Sequence, residues 1–314
     1  MRAQIDLARS ASCEVKSLQQ PNVTVIICSV NRREELDLTV QSLLCQTYLA
    51  SEILLSVPDA SHVLPQTAKR NSVRVVISPK GLTAQRNKGI DAISSGCDIV
   101  VFLDDDMEFC ESYIAEIVKV FESDPTIAMA NGSLLRNGGI DRRAAMTLCQ
   151  QHEQARECSA FSSATMSRIP TAYGCNMAAA WRVVRELRFD ERLPLYGWLE
   201  DRDYSHRARQ FGQIVHSPYA CAVHLAVRSG RVSEVKYGYS QVINPFYLWK
   251  KNRACSLGEV VLRHWMKQII ANVVGNILRD KNVDRVGRLK GNLIGARALL
   301  AGRCEPERVL AIKD

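Results

Sequence analysis

Apolar and polar positions alternate in long blocks through the first hundred residues, and the blocks predict elements. VTVIICSV (23–30) is an almost continuous β-branched run, the pattern of a strand buried on both faces, and it ends at Asn31. Leu36, Val40, Leu43 and Leu44 follow at helical spacing. EILLSV (52–57) and VRVVIS (73–78) predict a second and a third strand, and 83–93 a helix. DIVVFLDDD (98–106) predicts a fourth strand that runs directly into carboxylates. Such β-α-β-α alternation predicts a doubly wound α/β sheet with helices on both faces.

Downstream the pattern is looser. Ile114, Ile117, Val118 and Phe121 mark an amphipathic helix that Pro125 closes. A glycine-rich stretch covers 132–139, and the polar region 141–168 reads as a loop over the site. Residues 171–181 predict a strand, a helix runs from about Leu199 to a C-cap at Gly212, and a last strand at 219–225 carries His224. From Leu262 to Leu278, apolar residues recur in steps of three and four, giving one wholly apolar helix face. Gly287, Gly291 and Gly295 then recur every fourth residue, a spacing that lets another helix approach closely. These blocks suggest a polar leader (1–20), a main body (21–249, with halves 21–110 and 111–249) and a helical tail (250–314).

Composition adds limits. A chain of 314 residues, 46% apolar and 24% charged, can bury a sizeable core. Its eleven cysteines are odd in number and show no CxxC pair or zinc-ligand cluster, which suggests a reducing compartment, the cytosol. The first twenty residues have no apolar secretory core, and no run of about 18 apolar residues offers a membrane span. The net charge of +8 belongs to the tail, where residues 250–314 hold 14 Lys/Arg against 6 Asp/Glu. A basic tail suits an anionic surface, or is simply solvated. No aromatic-basic platform or reading helix accompanies it, which argues against nucleic acid as a partner.

The candidate chemistry lies at the strand ends. Ligands of doubly wound sheets bind beyond the carboxyl ends of the strands, and those ends carry Asn31, Arg32, Asp59 and the run Asp104, Asp105, Asp106. No GxGxxG or GxxxxGK loop is present. Adjacent carboxylates repel one another, and a divalent cation offsets that cost. In an extended segment alternate residues share a face, so Asp104 and Asp106 are expected to point into the crevice and Asp105 away. Hard oxygen ligands suit Mg2+ or Mn2+.

VTVIICSVNR, the turn at 57–61, GLTAQRNKGID, FLDDDMEF, FDERLPLYGWLEDRDYSHR and His224 resemble, in order, the motifs of family 2 inverting glycosyltransferases of the GT-A fold, as found in bacterial surface-polysaccharide assembly. The resemblance covers about 23–225 and implies roles. Asp104 and Asp106 would hold the metal and, with Asp105, the nucleotide-sugar donor, with His224 reaching the metal or phosphate. Val30, Asn31 and Arg32 would pack on the nucleoside, Asp59 would face the nucleobase, and Arg86 and Asn87 would flank the sugar-nucleotide. Asp201 would be the catalytic base, with Asn176, Trp198 and Glu200 on the acceptor side. Pro58 stands where the family commonly has the first of two aspartates, and the QxxRW motif of processive synthases is missing. The resemblance therefore implies non-processive, metal-dependent transfer to a glycan or lipid-linked sugar. The cysteines suggest a cytoplasmic protein, and the apolar, basic-flanked tail either packs back on the catalytic domain or, through 259–303, lies on an anionic membrane surface at the inner face of the cell membrane. The alternative is a non-catalytic nucleotide-sugar or carbohydrate-binding protein that retains the fold.

Overall fold

The structure is a computed structural model that describes residues 20–157, 165–227, 229, 232–278 and 283–313. All of the expected polar leader except Gln20 lies outside the described residues. The chain begins β1 (Val23–Cys28), α1 (Arg33–Leu44), β2 (Glu52–Val57), a short α2 (Pro65–Ala68), β3 (Val73–Ile77), α3 (Leu82–Asp91), β4 (Ile99–Leu103) and β5 (Met107–Phe109). There follow α4 (Tyr113–Ser123), β6 (Ile127–Asn137), α5 (Arg142–Glu157), β7 (Ser167–Arg168), β8 (Asn176–Ala180), α6 (Trp181–Val184), α7 (Glu200–Ala208) and β9 (Gln213–His224).

Among the described residues the nine strands share one mixed sheet in the order β3-β2-β1-β4-β8-β6-β9-β5, with β7 beside β9. The first four strands are parallel and in the order expected of a doubly wound half. Their alternation explains the unbroken apolar runs. Val23, Val25 and Ile27 face a core shared with α1 and α4, while Ile26, Val100 and Phe102 face a second core with α3, α6 and α7. Beyond β4 the sheet turns antiparallel through β8, and β5 closes its far edge by pairing antiparallel with β9. That pairing sets Met107 opposite His224 and carries the acidic run across the mouth of the sheet.

Two stretches differ from the sequence expectation. The polar region 141–168 is not a loop throughout: α5 occupies more than half of it, preceded by Asp141, whose Oδ1 accepts from the Ala144 N–H at 2.8 Å. Its inner stripe is Ala145 and Cys149, packed on Cys110, Cys221 and Leu225. Small residues make so narrow a stripe that the periodicity is hard to see. The strand expected at 219–225 begins earlier, at Gln213, immediately after Gly212. Gly212 has φ of +147°, and a β-carbon there would lie 1.8 Å from the Thr126 carbonyl oxygen.

The C-terminal region is helical. α8 (Glu234–Asn252) crosses the 249/250 division and is followed by a π-helical segment (Glu259–Met266), α9 (Lys267–Ile277) and α10 (Arg285–Leu300). The glycine ladder does what its spacing suggests: a β-carbon at Gly291 would lie 2.0 Å from the Val235 carbonyl oxygen, so α10 seats against α8 backbone to backbone. Of the apolar residues of 262–278, Trp265 packs on α8 and donates to the Val242 carbonyl at 3.0 Å, while Leu262, Met266, Ile270, Val274, Ile277 and Leu278 stay exposed and the opposite, polar face turns inward. Asn272 is fully buried; its Nδ2 donates to Asn292 Oδ1 at 3.0 Å and its Oδ1 accepts from Arg285 Nη1 at 3.2 Å. Gln241, Gln268 and Asn292 continue this polar ladder. Among the described residues no helix is long and apolar enough to cross a membrane.

Candidate active site

Two constraints at the end of β4 distribute the three aspartates. The Met107–His224 register brings the imidazole to the acidic turn: His224 Nε2 lies 3.2 Å from Asp106 Oδ1 and 3.8 Å from Asp104 Oδ2. Asp105 faces the other way, accepting from Ser29 Oγ at 2.6 Å and from Arg32 Nη1 at 2.9 Å. The run is a turn between β4 and β5 and not the extended segment expected, so alternation does not set it. Asp104 and Asp106 meet His224, while Asp105 bonds Ser29 and Arg32 yet still lines the cleft over the turn. Arg32 also reaches Asp106 Oδ2 at 3.5 Å and donates to the Val227 carbonyl at 3.0 Å, while Asp106 Oδ2 accepts from the Val227 N–H at 2.7 Å. The segment after β9 is thereby fastened to the acidic turn.

Electrostatics follow from these partners. Burial raises the Asp105 carboxyl to about 6 against the pull of Arg32. Burial also raises Asp104, opposed by His224 and Arg86. In Asp106 burial is outweighed by His224 and Arg32, so its carboxyl sits below the ordinary value.

Whether the cluster suits a cation is answered by its donors. One ligand atom each from Asp104, Asp106 and His224 lie within 4.8 Å of one another, and the buried Asp106 Oδ1 has only the His224 imidazole, at 3.2 Å, beside it among the described residues. Two carboxylates and an imidazole form a hard, partly anionic set that fits Mg2+ or Mn2+.

Behind the acidic turn lies a buried ionic strut. Arg86 on α3, 1% exposed, bonds Glu200 Oε1 at 2.6 Å, lies 3.8 Å from Asp104 Oδ1 and donates to the Gly174 carbonyl at 2.7 Å. Its guanidinium also lies 5.1 Å from the ring centre of Phe189, a cation–π contact. Burial pushes Glu200 up to about 8 even against Arg86. Asp201, the next residue at the α7 N-terminus, accepts from the Gly174 N–H at 3.0 Å and from the Arg202 N–H at 2.7 Å, and burial raises its carboxyl too. Three acidic residues in this first turn complement the helix dipole.

A cleft of about 380 Å3 opens over the acidic turn. Val30, Arg32, Asp104, Asp105, Asp106, Trp198 and His224 line it, so the structure gathers these seven expected residues in one place. The others sit differently. Arg86 and Asn87 lie beneath the floor, where Asn87 bonds both backbone groups of Phe189. Glu200 and Asp201 lie outside the lining, although Tyr173 and Trp198, their neighbours in the fold and in the chain, belong to it. Asn176, expected on the acceptor side, is fully buried with its Oδ1 taking the Tyr113 hydroxyl, because it opens β8 between β4 and β6. Asp59 is 61% exposed and outside the lining; it caps the turn after β2 and meets His62 Nε2 at 3.3 Å. His62 Nδ1 in turn accepts from the Asn31 N–H at 2.8 Å, holding that residue at φ of +58°.

Sequence reasoning missed several lining residues. Tyr196 and Tyr237 join Trp198 in an aromatic wall, with Trp198 and Tyr237 ring centres 5.3 Å apart, edge to face. Tyr196 stood within a quoted motif and was legible as a candidate. Tyr237 on α8 and Arg288 on α10, where Arg288 pairs with Glu234, carried no local signal because the helices that bring them in are distant in sequence.

The sequence model of glycosyl transferase family 2 matches residues 24–183. The chain belongs to glycosyltransferase family 2. Asp201, His224 and the C-terminal helices of this family 2 chain lie beyond the matched residues. No curated protein gives a significant match. Among solved structures, the chain is similar to the mannosyltransferase PcManGT from Pyrobaculum calidifontis, solved with GDP-mannose and Mn2+, at 14% identity and a TM-score of 0.54, covering 94% of this chain and 86% of that one. It is also similar to GalNAc-T7, solved with UDP, GalNAc and Mn2+, at 16% identity and a TM-score of 0.53, covering 76% of this chain and 53% of that one. At such identities the likeness is one of fold, and the fold is the GT-A arrangement of nucleotide-sugar transferases. This family 2 chain is a glycosyltransferase with an acidic, metal-competent site.

Proposed function

We propose that this transferase moves a sugar from a nucleotide-diphosphate sugar to an acceptor hydroxyl, once per encounter, with inversion at the anomeric carbon. The observation that carries the reading is the Asp104–Asp106–His224 cluster at the foot of a cleft whose other wall is aromatic. Asp104, Asp106 and His224 would hold Mg2+ or Mn2+, which when bound neutralises charge on the departing diphosphate. Val30 and Arg32 flank the donor end of the cleft, and Arg32 keeps Asp105 turned aside. Asp201 takes the proton of the acceptor hydroxyl as that oxygen attacks, and a carboxyl raised by burial is a stronger base than an exposed one. Arg86 is a positioning residue: it joins the Asp104 side to Glu200 beside the base and compensates buried negative charge. A single displacement by one activated hydroxyl inverts configuration and requires no protein nucleophile.

The aromatic wall of Tyr196, Trp198 and Tyr237 suits a sugar ring, so the acceptor is a glycan or a lipid-linked sugar, as in surface-polysaccharide assembly at the inner face of a cell membrane. A non-catalytic binding protein would have no need of Asp201 beside an intact acidic cluster. The reading is tested by thermal shift with UDP-, GDP- and dTDP-sugars in Mn2+ or Mg2+, followed by nucleoside diphosphate release with the donor that stabilises. One donor class is expected to raise Tm by mass action. No shift with any donor, together with no release, would overturn it.

A further inference from the structure

The strongest unexplained feature lies outside the cleft. Leu262, Met266, Ile270, Val274, Ile277 and Leu278 line one side of the π-helical segment and α9, and each is between 46% and 75% exposed. A contiguous aliphatic face is unusual on a protein surface and marks an interaction site. It is not a core face left open by chance, because the other side of the same helix is the buried one and its amides are bonded, although the buried His264 Nε2 on that side has no hydrogen-bond partner among the described residues. Asn272 is bonded to Gln241, Asn292 and Arg285, and Gln268 to Gln241. Turning the apolar side inward would strand those amides, so the ladder fixes the helix with its aliphatic face outward.

The geometry points to an anionic lipid bilayer as the occupant of this face, with α9 lying in the plane of the interface. Charge supports that choice. The described residues of 259–303 hold seven Lys/Arg and two Asp/Glu. Both acidic groups are engaged: Glu259 pairs with Arg202 at 2.7 Å, and Asp284 caps α10 by accepting from the Gly287 N–H. Arg263 and Lys267 are exposed on the same helix as the aliphatic face, placing cations where headgroups would meet them. A second copy of the chain on this face would offer Arg263 and Lys267 no free carboxylate from the described residues of 259–303, since Glu259 and Asp284 are both engaged. The helix is also close to the cleft, since α10 touches both: Arg285 bonds Asn272 of α9, and Arg288, one turn on, lines the cleft. A bilayer against α9 would therefore lie near the acceptor side, where a lipid-linked sugar could enter.

Co-sedimentation of the full chain with phosphatidylcholine vesicles, and with vesicles containing about one third phosphatidylglycerol, tests the inference. Anionic vesicles are expected to bind at about ten-fold lower lipid than neutral ones, less so at high salt. The double variant Ile270→Glu/Ile277→Glu is expected to lose that binding about ten-fold or more while keeping wild-type Tm and donor-induced thermal shift. Charge reversal at Arg263 and Lys267 is expected to abolish the preference for anionic vesicles. No vesicle binding, or binding unchanged in the double variant, overturns the proposal. So does a wild-type dimer that the same double variant makes monomeric. Vesicle binding requires no turnover, so its failure leaves the transferase reading standing; only entry of a lipid-linked acceptor rests on both.

Discussion

In the parallel half of the sheet Val25, Val101 and Phe102 are completely buried and charge gathers at the strand ends; in the C-terminal helices Asn272 is completely buried and Ile277 keeps 72% of its surface exposed. The first region follows ordinary hydrophobic sorting, because helices cover both faces of β1, β2 and β4. The second inverts it. Burying amides is tolerable only when each finds partners, and Gln241, Asn272 and Asn292 provide them for one another. The difference teaches that an amphipathic pattern identifies a helix and its two faces but not which face the protein keeps for itself. In one region the polar groups gather at an open cleft; in the other they are bonded to one another within the fold and leave the aliphatic face exposed.

That contrast can be broken most sharply at the strand-end side. Asp201→Asn is expected to lower kcat about 10^3-fold with donor affinity unchanged; full turnover would remove Asp201 from the chemistry. The role proposed for Asp201 needs its carboxylate, and burial raises its pKa, so activity should be lost as pH falls through a value above the ordinary aspartate range. A kcat/KM profile measures that limb.

Arg86→Ala leaves Glu200 buried without its cation and should cost about 3–5 kcal/mol in urea unfolding. A loss under about 1 kcal/mol would show that the strut is not structural. In the tail, Gly291→Ala would force α8 and α10 apart and should cost about 1–3 kcal/mol. The smallest effect is expected where the inversion is most visible. Ile277→Ser should change stability by no more than about 0.5 kcal/mol, since the side chain has little to lose in the isolated chain. A large loss there would mean the face is packed after all.

Much of this was legible in the sequence. The β-branched runs located β1 through β4 to within a few residues, since strands buried on both faces carry a continuous apolar signal. The acidic run itself was legible at the end of an apolar strand, but alternation does not govern it, because residues 104–106 form a turn, and the structure places His224 with Asp104 and Asp106 through the β5–β9 pairing. What could not be read depended on distant packing. Arg86 and Asn87 resemble donor contacts but lie under the floor, because α3 presents them to Glu200 and to the Phe189 backbone. Asn176 opens an interior strand, and Asp59 caps an exposed turn, and neither placement has a local signature. Tyr237 and Arg288 enter the cleft only because α8 and α10 fold across it.

The central claim, a metal-assisted donor site at the acidic turn, is tested most directly by calorimetric titration of the stabilising nucleotide-sugar in Mn2+ against the wild type and Asp106→Ala. Mn2+-dependent binding in the wild type, abolished by chelator and by Asp106→Ala, is the predicted result. Binding of equal strength in Asp106→Ala, or in the wild type without metal, would contradict it.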